Sequence, residues 1–159
     1  MKYFTTYWKN DTWEKKKKEA KSGTTTIDYA TADDFKEAGV ERGSLVFITT
    51  IIDGAMFLGG YINVYDILNK KDAESYLGKA GLYDSVDYIV SEHGKGVCFI
   101  GNHKVSLSDV KALRFISNTG RNELKFREED RNKLDRQTLR NTRKLHPDSG
   151  EFLLSLLKK

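Results

Sequence analysis

The pattern of apolar residues along this chain is clearest between Leu45 and Val64, where two apolar runs flank a tight turn. The first run, Leu45–Ile52, is nearly unbroken and rich in β-branched residues, which is typical of a strand covered on both faces. Asp53-Gly54 follows it, and this pair favours a two-residue turn because glycine accepts the positive φ that such turns require. The pattern therefore predicts a β-hairpin.

Alternation along the return strand divides its side chains between two faces. The face that we expect to be core carries Met56, Leu58, Ile62 and Val64, and the other carries Phe57, Tyr61, Asn63 and Tyr65. Gly59-Gly60 interrupts this strand, which predicts either a bulge or bend of the strand, or a backbone or ligand that passes close by.

The other expected elements are short. Helices are predicted from Asp33 or Asp34 to Ala38 with Gly39 at the end, over 70–77 between Asn69 and Gly78, from Ser106 or Ser108 through Leu113, and over 151–157, and strands are predicted over 88–90 and 97–100. No internal repeat and no long linker divides them, so 159 residues with 38% hydrophobic content predict one domain over residues 1–159.

The order of helix, turn, strand and hairpin resembles the PUA-like superfamily, and within it the EVE and ASCH-type domains. The shared pieces are an aromatic first strand at Tyr3-Phe4 or Tyr7-Trp8, a glycine turn over residues 39–47, and a strand with paired glycines over 59–64. Ser44 replaces the usual acid of the turn, and the family's Lys-Ser/Thr-Glu-Pro run is absent. The resemblance implies an α+β fold, a PUA-like β-pseudobarrel surrounded by short helices, and binding of a flipped or modified base.

The composition narrows the class of protein. A single cysteine excludes a disulfide framework within the chain, and Cys98 lies in an apolar run that predicts a core position. The first 13 residues include Lys2, Lys9 and Asp11, so no signal peptide is expected, and no apolar run approaches the roughly 20 residues that span a bilayer. A cytoplasmic protein without a membrane partner is the expectation.

The positive charge is concentrated in the C-terminal half. Residues 111–144 hold 11 basic and 5 acidic residues, a surplus of six. We expect nucleic-acid backbone contacts from this stripe, at Arg121, Lys125, Arg136, Arg140 and Arg143. If residues 135–145 are helical, the last three share one face. The alternative is a solvated helical face with internal ion pairs.

A second group of cations, Lys15 to Lys18, lacks apolar spacing and predicts an exposed, solubilising loop that runs into Thr24 to Thr26, with a phosphate contact as the alternative.

Both tryptophans lie where the first strand becomes polar. Trp8 and Trp13 can stack on a base while Asn10 reads its edge, and Tyr61 lies beside the paired glycines on a neighbouring strand. These four residues are the predicted base-binding pocket. The alternative is that both indoles belong to the core and donate their N–H groups to backbone carbonyls.

Signatures of enzymes are weak. The three histidines are scattered without metal-ligand spacing, so no catalytic residue, metal or cofactor is expected. A Mg²⁺-dependent nuclease centre of Asp84, Asp87, Glu92 and Lys95 is the alternative. A protein-interaction module of a mobile-element or defence system, with the basic face against an acidic partner, is the third possibility. The favoured interpretation is a nucleic-acid-binding domain, for DNA or RNA, that reads a base in an aromatic pocket.

Overall fold

The structure is a computed structural model that describes residues 1–23 and 25–158. Its strands are β1 (Tyr3–Tyr7), β2 (Thr26–Ile27), β3 (Tyr29–Ala32), β4 (Leu45–Ile52), β5 (Ala55–Asn63), β6 (Asp66–Leu68), β7 (Asp87–Val90), β8 (Val97–Cys98), β9 (His103–Lys104), β10 (Phe115–Ile116) and β11 (Arg143–Leu145). Its helices are α1 (Asn10–Lys21), α2 (Phe35–Ala38), α3 (Lys70–Leu77), α4 (Leu107–Ala112) and α5 (Pro147–Leu157).

The strands form a mixed, mostly antiparallel arrangement, so the α+β class is confirmed. A six-stranded sheet has the order β10-β11-β1-β4-β5-β9, with β1 parallel to β4 and the other neighbours antiparallel. β3-β7-β6 and β2-β8 form two smaller sheets. Because β10 and β9 are its edges, the large sheet does not close into a barrel within the described residues.

The central hairpin is confirmed. β4 and β5 pair from Leu45 with Asn63 to Ile52 with Ala55, and Asp53 (φ 49°) and Gly54 (φ 77°) form the turn with the positive φ values that the pattern predicts. The caps of α3 are confirmed as well. The Asn69 side chain accepts a hydrogen bond from the Asp72 N–H, and Gly78 is left-handed at the other end.

Side chains pack on both faces of the large sheet. One face carries Met56 and Leu58 against α4, α5 and the segment before β11, and the other carries Ile62 and Val64 against α1, α2, β2 and β3. The prediction that these four residues share a face is wrong. The register shifts between Ile48 and Thr49, and the resulting bulge at the paired glycines reverses the alternation that follows it.

Three further predictions fail. The lysine run at residues 15–18 lies within helix α1 rather than in a loop. Cys98 is exposed at the end of β8, outside the core. Residues 135–145 are not helical, because a turn over 136–139 leads into strand β11. The long connection between β10 and β11 is instead held by three buried leucines, Leu124, Leu134 and Leu139.

Candidate functional site

Two adjoining cavities lie where the C-terminal end of β1 meets β3. The first has a volume of about 310 Å³ and the second about 400 Å³, and they share Tyr7, Lys9 and Thr31. Trp8, Thr12, Lys16, Tyr29, Ala30 and Tyr83 complete the first, and Thr6, Ala32, Asp33, Asp34, Arg140 and Asn141 complete the second. We call the two together the groove, which has an aromatic end and a charged end.

Helix α1 forms one wall of the groove because its buried Trp13 anchors another side of the helix in the core. Trp13 is fully buried on its inner side, where its indole N–H donates to the Gly101 carbonyl at 3.2 Å. Thr12 and Lys16, four residues apart, share a different face of the helix, and this face lines the first cavity. Lys9, the residue that precedes the helix, lies at the junction of both cavities.

Trp8 presents an indole at the aromatic end. Its backbone N–H donates to the Thr49 carbonyl at 2.8 Å, which extends the pairing of β1 with β4 by one residue. Its ring stacks on Phe99 with centroids 6.0 Å apart and an interplanar angle of 21°. The side chain is half-buried and therefore combines a fixed position with a surface that a ligand can reach.

Tyr83 lines the same cavity from the loop that precedes β7, and 75% of it is exposed. Side chains from other elements hold this loop. Glu74 accepts a hydrogen bond from the Leu82 N–H at 3.0 Å, and Asp33 accepts one from the Val86 N–H at 3.0 Å. A large and mostly exposed aromatic side chain thus lines the cavity from a loop that side-chain hydrogen bonds hold.

The charged groups of the groove are three cations, Lys9, Lys16 and Arg140, and two carboxylates, Asp33 and Asp34. Within the described ranges, Lys9 and Arg140 form no ion pair, whereas Lys16 lies 3.6 Å from Glu19.

Asp34 anchors the turn that carries Arg140. Its two oxygens accept hydrogen bonds from the N–H and hydroxyl of Thr142 at 3.0 and 2.7 Å. Between Arg140 and Thr142, Asn141 adopts φ 66°, a left-handed conformation that asparagine tolerates better than most residues.

The four residues of the predicted base-binding pocket do not come together. Trp8 lines the groove, but Trp13 is 0% exposed and offers no face to a ligand. Asn10 begins α1 and accepts a hydrogen bond from the Thr50 hydroxyl at 2.9 Å. Tyr61 packs on the opposite face of the large sheet from Trp8 and lines a different cavity, of about 300 Å³, with Tyr65 and Lys95. The space at Gly59-Gly60 is filled by core side chains, since a Cβ on Gly59 would lie 2.8 Å from Phe99 and 2.9 Å from Trp13.

The five predicted backbone-binding cations are also divided. Arg140 lines the groove, whereas Lys125 and Arg136 line a depression that also holds Arg127 and three carboxylates, Glu128, Glu129 and Asp135. The latter depression is therefore balanced in charge.

Arg121 lies in the connection after β10, Arg143 lies in β11, and Arg143 is structural. Its guanidinium donates to the Thr138 and Arg121 carbonyls at 2.9 and 2.6 Å and lies 4.1 Å from the centre of the Phe115 ring. Burial, and secondarily the charge of Arg121, lower the pKa of Arg143 to about 10, so it stays charged at neutral pH.

Two of the four residues of the nuclease alternative have partners outside the set, and the other two pair with each other. Asp84 pairs with Lys70, Glu92 pairs with Lys95 at 2.6 Å, and buried Asp87 accepts a hydrogen bond from the Lys36 N–H at 2.9 Å. Within residues 1–23 and 25–158, no group of three His, Cys, Asp or Glu side chains could hold a metal ion.

The sequence pattern did not reveal Lys9, Lys16, Tyr29 and Tyr83 as members of one site. The lysines could have been found from the high helix propensity of the Lys- and Glu-rich run, which would place Lys16 one turn after Thr12. Tyr29 and Tyr83 are distant in sequence from Trp8, and only the pairing of β3 with β7 brings their segments close together.

No helix in the described part of the chain is long and apolar enough to cross a membrane. Comparisons with protein-family models, curated proteins and solved structures found no match to the chain.

Proposed function

We propose that the protein binds single-stranded nucleic acid in the groove, with one base at the aromatic end and the adjoining backbone along the cations. The observation that carries this proposal is that two cavities share Tyr7, Lys9 and Thr31, so an aromatic surface adjoins Lys9 and Arg140, which have no ion pair among the described residues. Base stacking and phosphate attraction are the two main interactions of proteins that bind single strands.

The aromatic end fits one base. Its volume of about 310 Å³ lies at the lower limit of ligand cavities, which are roughly 300–1,000 Å³, and it therefore suits a single ring system. Trp8 is fixed from behind by Phe99, while Tyr83 is held on an anchored loop. A base that enters between them must leave the stack of its neighbours, which favours an unpaired or flipped nucleotide.

The cations of the groove would neutralise the phosphates that flank this base. Lys9 lies at the junction of the two cavities, Lys16 on the aromatic side and Arg140 on the other. Arg140 is the one residue of the predicted basic stripe that lines the groove, so the proposed footprint depends on α1 more than on residues 111–144.

A relationship to the PUA-like superfamily is part of this proposal. It is supported by the hairpin of β4 and β5, the left-handed Gly39 at the end of α2, and the bulge at the paired glycines. These features match the pieces of sequence that carry the resemblance. The function proposed for the groove does not depend on this relationship.

The proposal can be tested by acrylamide quenching of tryptophan fluorescence. Trp13 is fully buried, so the quenchable emission should come from half-buried Trp8. We expect a saturating single-stranded oligonucleotide to shield this emission, and the Trp8→Phe variant to lack the quenchable component while it still binds. Binding that leaves the quenching of Trp8 unchanged would place the ligand elsewhere, and the absence of binding would refute the function.

A further inference from the structure

The two carboxylates of the groove differ in how many of their oxygens accept a hydrogen bond from the protein. Both oxygens of Asp34 accept hydrogen bonds from Thr142. Asp33 uses only Oδ1, which accepts from the Ser85 hydroxyl at 3.1 Å and from the Val86 N–H at 3.0 Å. Within the described residues, its Oδ2 has no hydrogen bond and its carboxylate has no ion pair. Beside its three cations, the groove thus contains one carboxylate oxygen without a partner among the described residues, and this oxygen can only accept hydrogen bonds.

We infer that Asp33 is a specificity-determining residue that accepts a hydrogen bond from the exocyclic amino group of an unpaired cytosine or adenine. This inference rests on the nucleic-acid binding proposed above. It adds the class of base that the groove prefers, which neither stacking nor phosphate attraction determines, since every base has a π face.

The direction of the bound base follows from the placement of the charges. Lys9 and Lys16 come from the α1 side of the groove, so they draw the phosphate and sugar of the stacked nucleotide toward that wall, whereas Arg140 in the second cavity contacts the backbone of the adjoining nucleotide. The base edge opposite the sugar then faces the β3 side, where Asp33 follows directly after the strand. Asp33 lines the second cavity, two residues after Thr31, which lines both cavities, and it is hydrogen-bonded to Ser85 and Val86 of the loop that carries Tyr83.

The chemistry of this edge separates the bases into two classes. At C4 of a pyrimidine or C6 of a purine, cytosine and adenine carry an amino donor where uracil, thymine and guanine carry a carbonyl acceptor, and at this position a carboxylate accepts only from the amino group. A carbonyl against the Asp33 oxygen would leave two acceptors facing each other without a proton between them. One hydrogen bond to a charged group is enough to change affinity about ten-fold.

The test compares oligocytidylate with oligouridylate of about eight nucleotides, in ribose and deoxyribose forms, by fluorescence anisotropy. Cytosine carries an amino group where uracil carries a carbonyl, and the two oligonucleotides otherwise have similar rings and the same backbones. The key variant is Asp33→Asn, because an asparagine Oδ1 can still accept from Ser85 and Val86 and keep the Tyr83 loop in place. Glu37→Gln, an exposed carboxylate outside the groove, is the matched control for the loss of one negative charge.

We expect wild type and Glu37→Gln to bind oligocytidylate about ten-fold more tightly than oligouridylate, and Asp33→Asn to lose this preference. Equal affinity of the wild type for the two oligonucleotides would overturn the inference and leave the proposed function standing. A cytosine preference that persists in Asp33→Asn would overturn the role of Asp33. If neither oligonucleotide binds, the proposed function and this inference both fail.

Discussion

The substitution Gly59→Ala tests whether the space beside the bulge belongs to the core or to a ligand. A Cβ at this position would lie 2.8 Å from Cε2 of Phe99 and 2.9 Å from Cη2 of Trp13, both closer than real Cβ contacts allow. These atoms belong to rigid rings that pack edge to face, with centroids 4.9 Å apart, and Trp13 is 0% exposed. The rings cannot rotate away without a disturbance of the core.

The expected cost can be estimated from two opposing effects. Overpacking of a filled core costs about 1–3 kcal/mol. Replacement of glycine by alanine at a backbone conformation that alanine accepts returns about 0.4–1 kcal/mol through the unfolded chain, and Gly59 lacks a positive φ. We therefore expect Gly59→Ala to lower the free energy of unfolding by about 1–2 kcal/mol, with oligonucleotide affinity of the folded protein unchanged.

Urea denaturation of four proteins completes the test, namely wild type, Gly59→Ala, Trp13→Phe and the double variant. Trp13→Phe removes the ring atoms Cη2 and Cζ3 that the new methyl group would meet, so Gly59→Ala should cost less in that background. We expect a coupling free energy of at least about 0.5 kcal/mol between the two sites. A Gly59→Ala variant that is as stable as wild type but binds less tightly would refute the core interpretation and restore the ligand one.

The remaining predictions concern the stability of the sheet. The Tyr3 hydroxyl donates a hydrogen bond to the Glu151 carboxylate, and this bond together with burial raises the pKa of Tyr3 to about 12. The folded protein therefore keeps a proton that the unfolded chain loses near pH 10. Stability should therefore fall as the pH rises from about 10 toward 12, and thermal melts of Tyr3→Phe should show a weaker fall. Arg143→Lys keeps the charge but loses the fork that bonds two carbonyls, and we expect it to cost about 2 kcal/mol in urea denaturation, whereas an unchanged midpoint would contradict a structural role.

The sequence was enough to predict an element where a few neighbouring residues determine the conformation of the backbone. The hairpin of β4 and β5 was predictable because Asp53-Gly54 specifies the turn, and helix α3 because Asn69 and Gly78 specify its ends. The two faces of β5 were not predictable, since a bulge at Gly59-Gly60 reverses alternation, and the pattern shows neither which residue is extra nor what fills the space.

The predictions for helix α1 and for the segment before β11 were wrong for opposite reasons. Trp13 is the only fully buried residue described in α1, so the apolar periodicity that reveals most helices is missing there. The arginines after residue 130 have helical spacing, but long-range packing of Leu134 and Leu139 places them in turns. Of the candidate site, Trp8 and Arg140 were identified from the sequence, and the residues of β3 and of the Tyr83 loop join them only through tertiary pairing.

The salt dependence of oligonucleotide affinity tests the proposed groove most directly. The double variant Lys9→Gln/Arg140→Gln removes the two groove cations that have no ion pair within residues 1–23 and 25–158, and Lys71→Gln/Arg131→Gln removes two exposed cations outside the groove as the control. Each lost phosphate contact on a single strand reduces the slope of log affinity against log salt by about 0.7, so we expect the groove variant to lose about 1.4 and the control almost nothing. Equal slopes for the two double variants would contradict a nucleic-acid site in this groove.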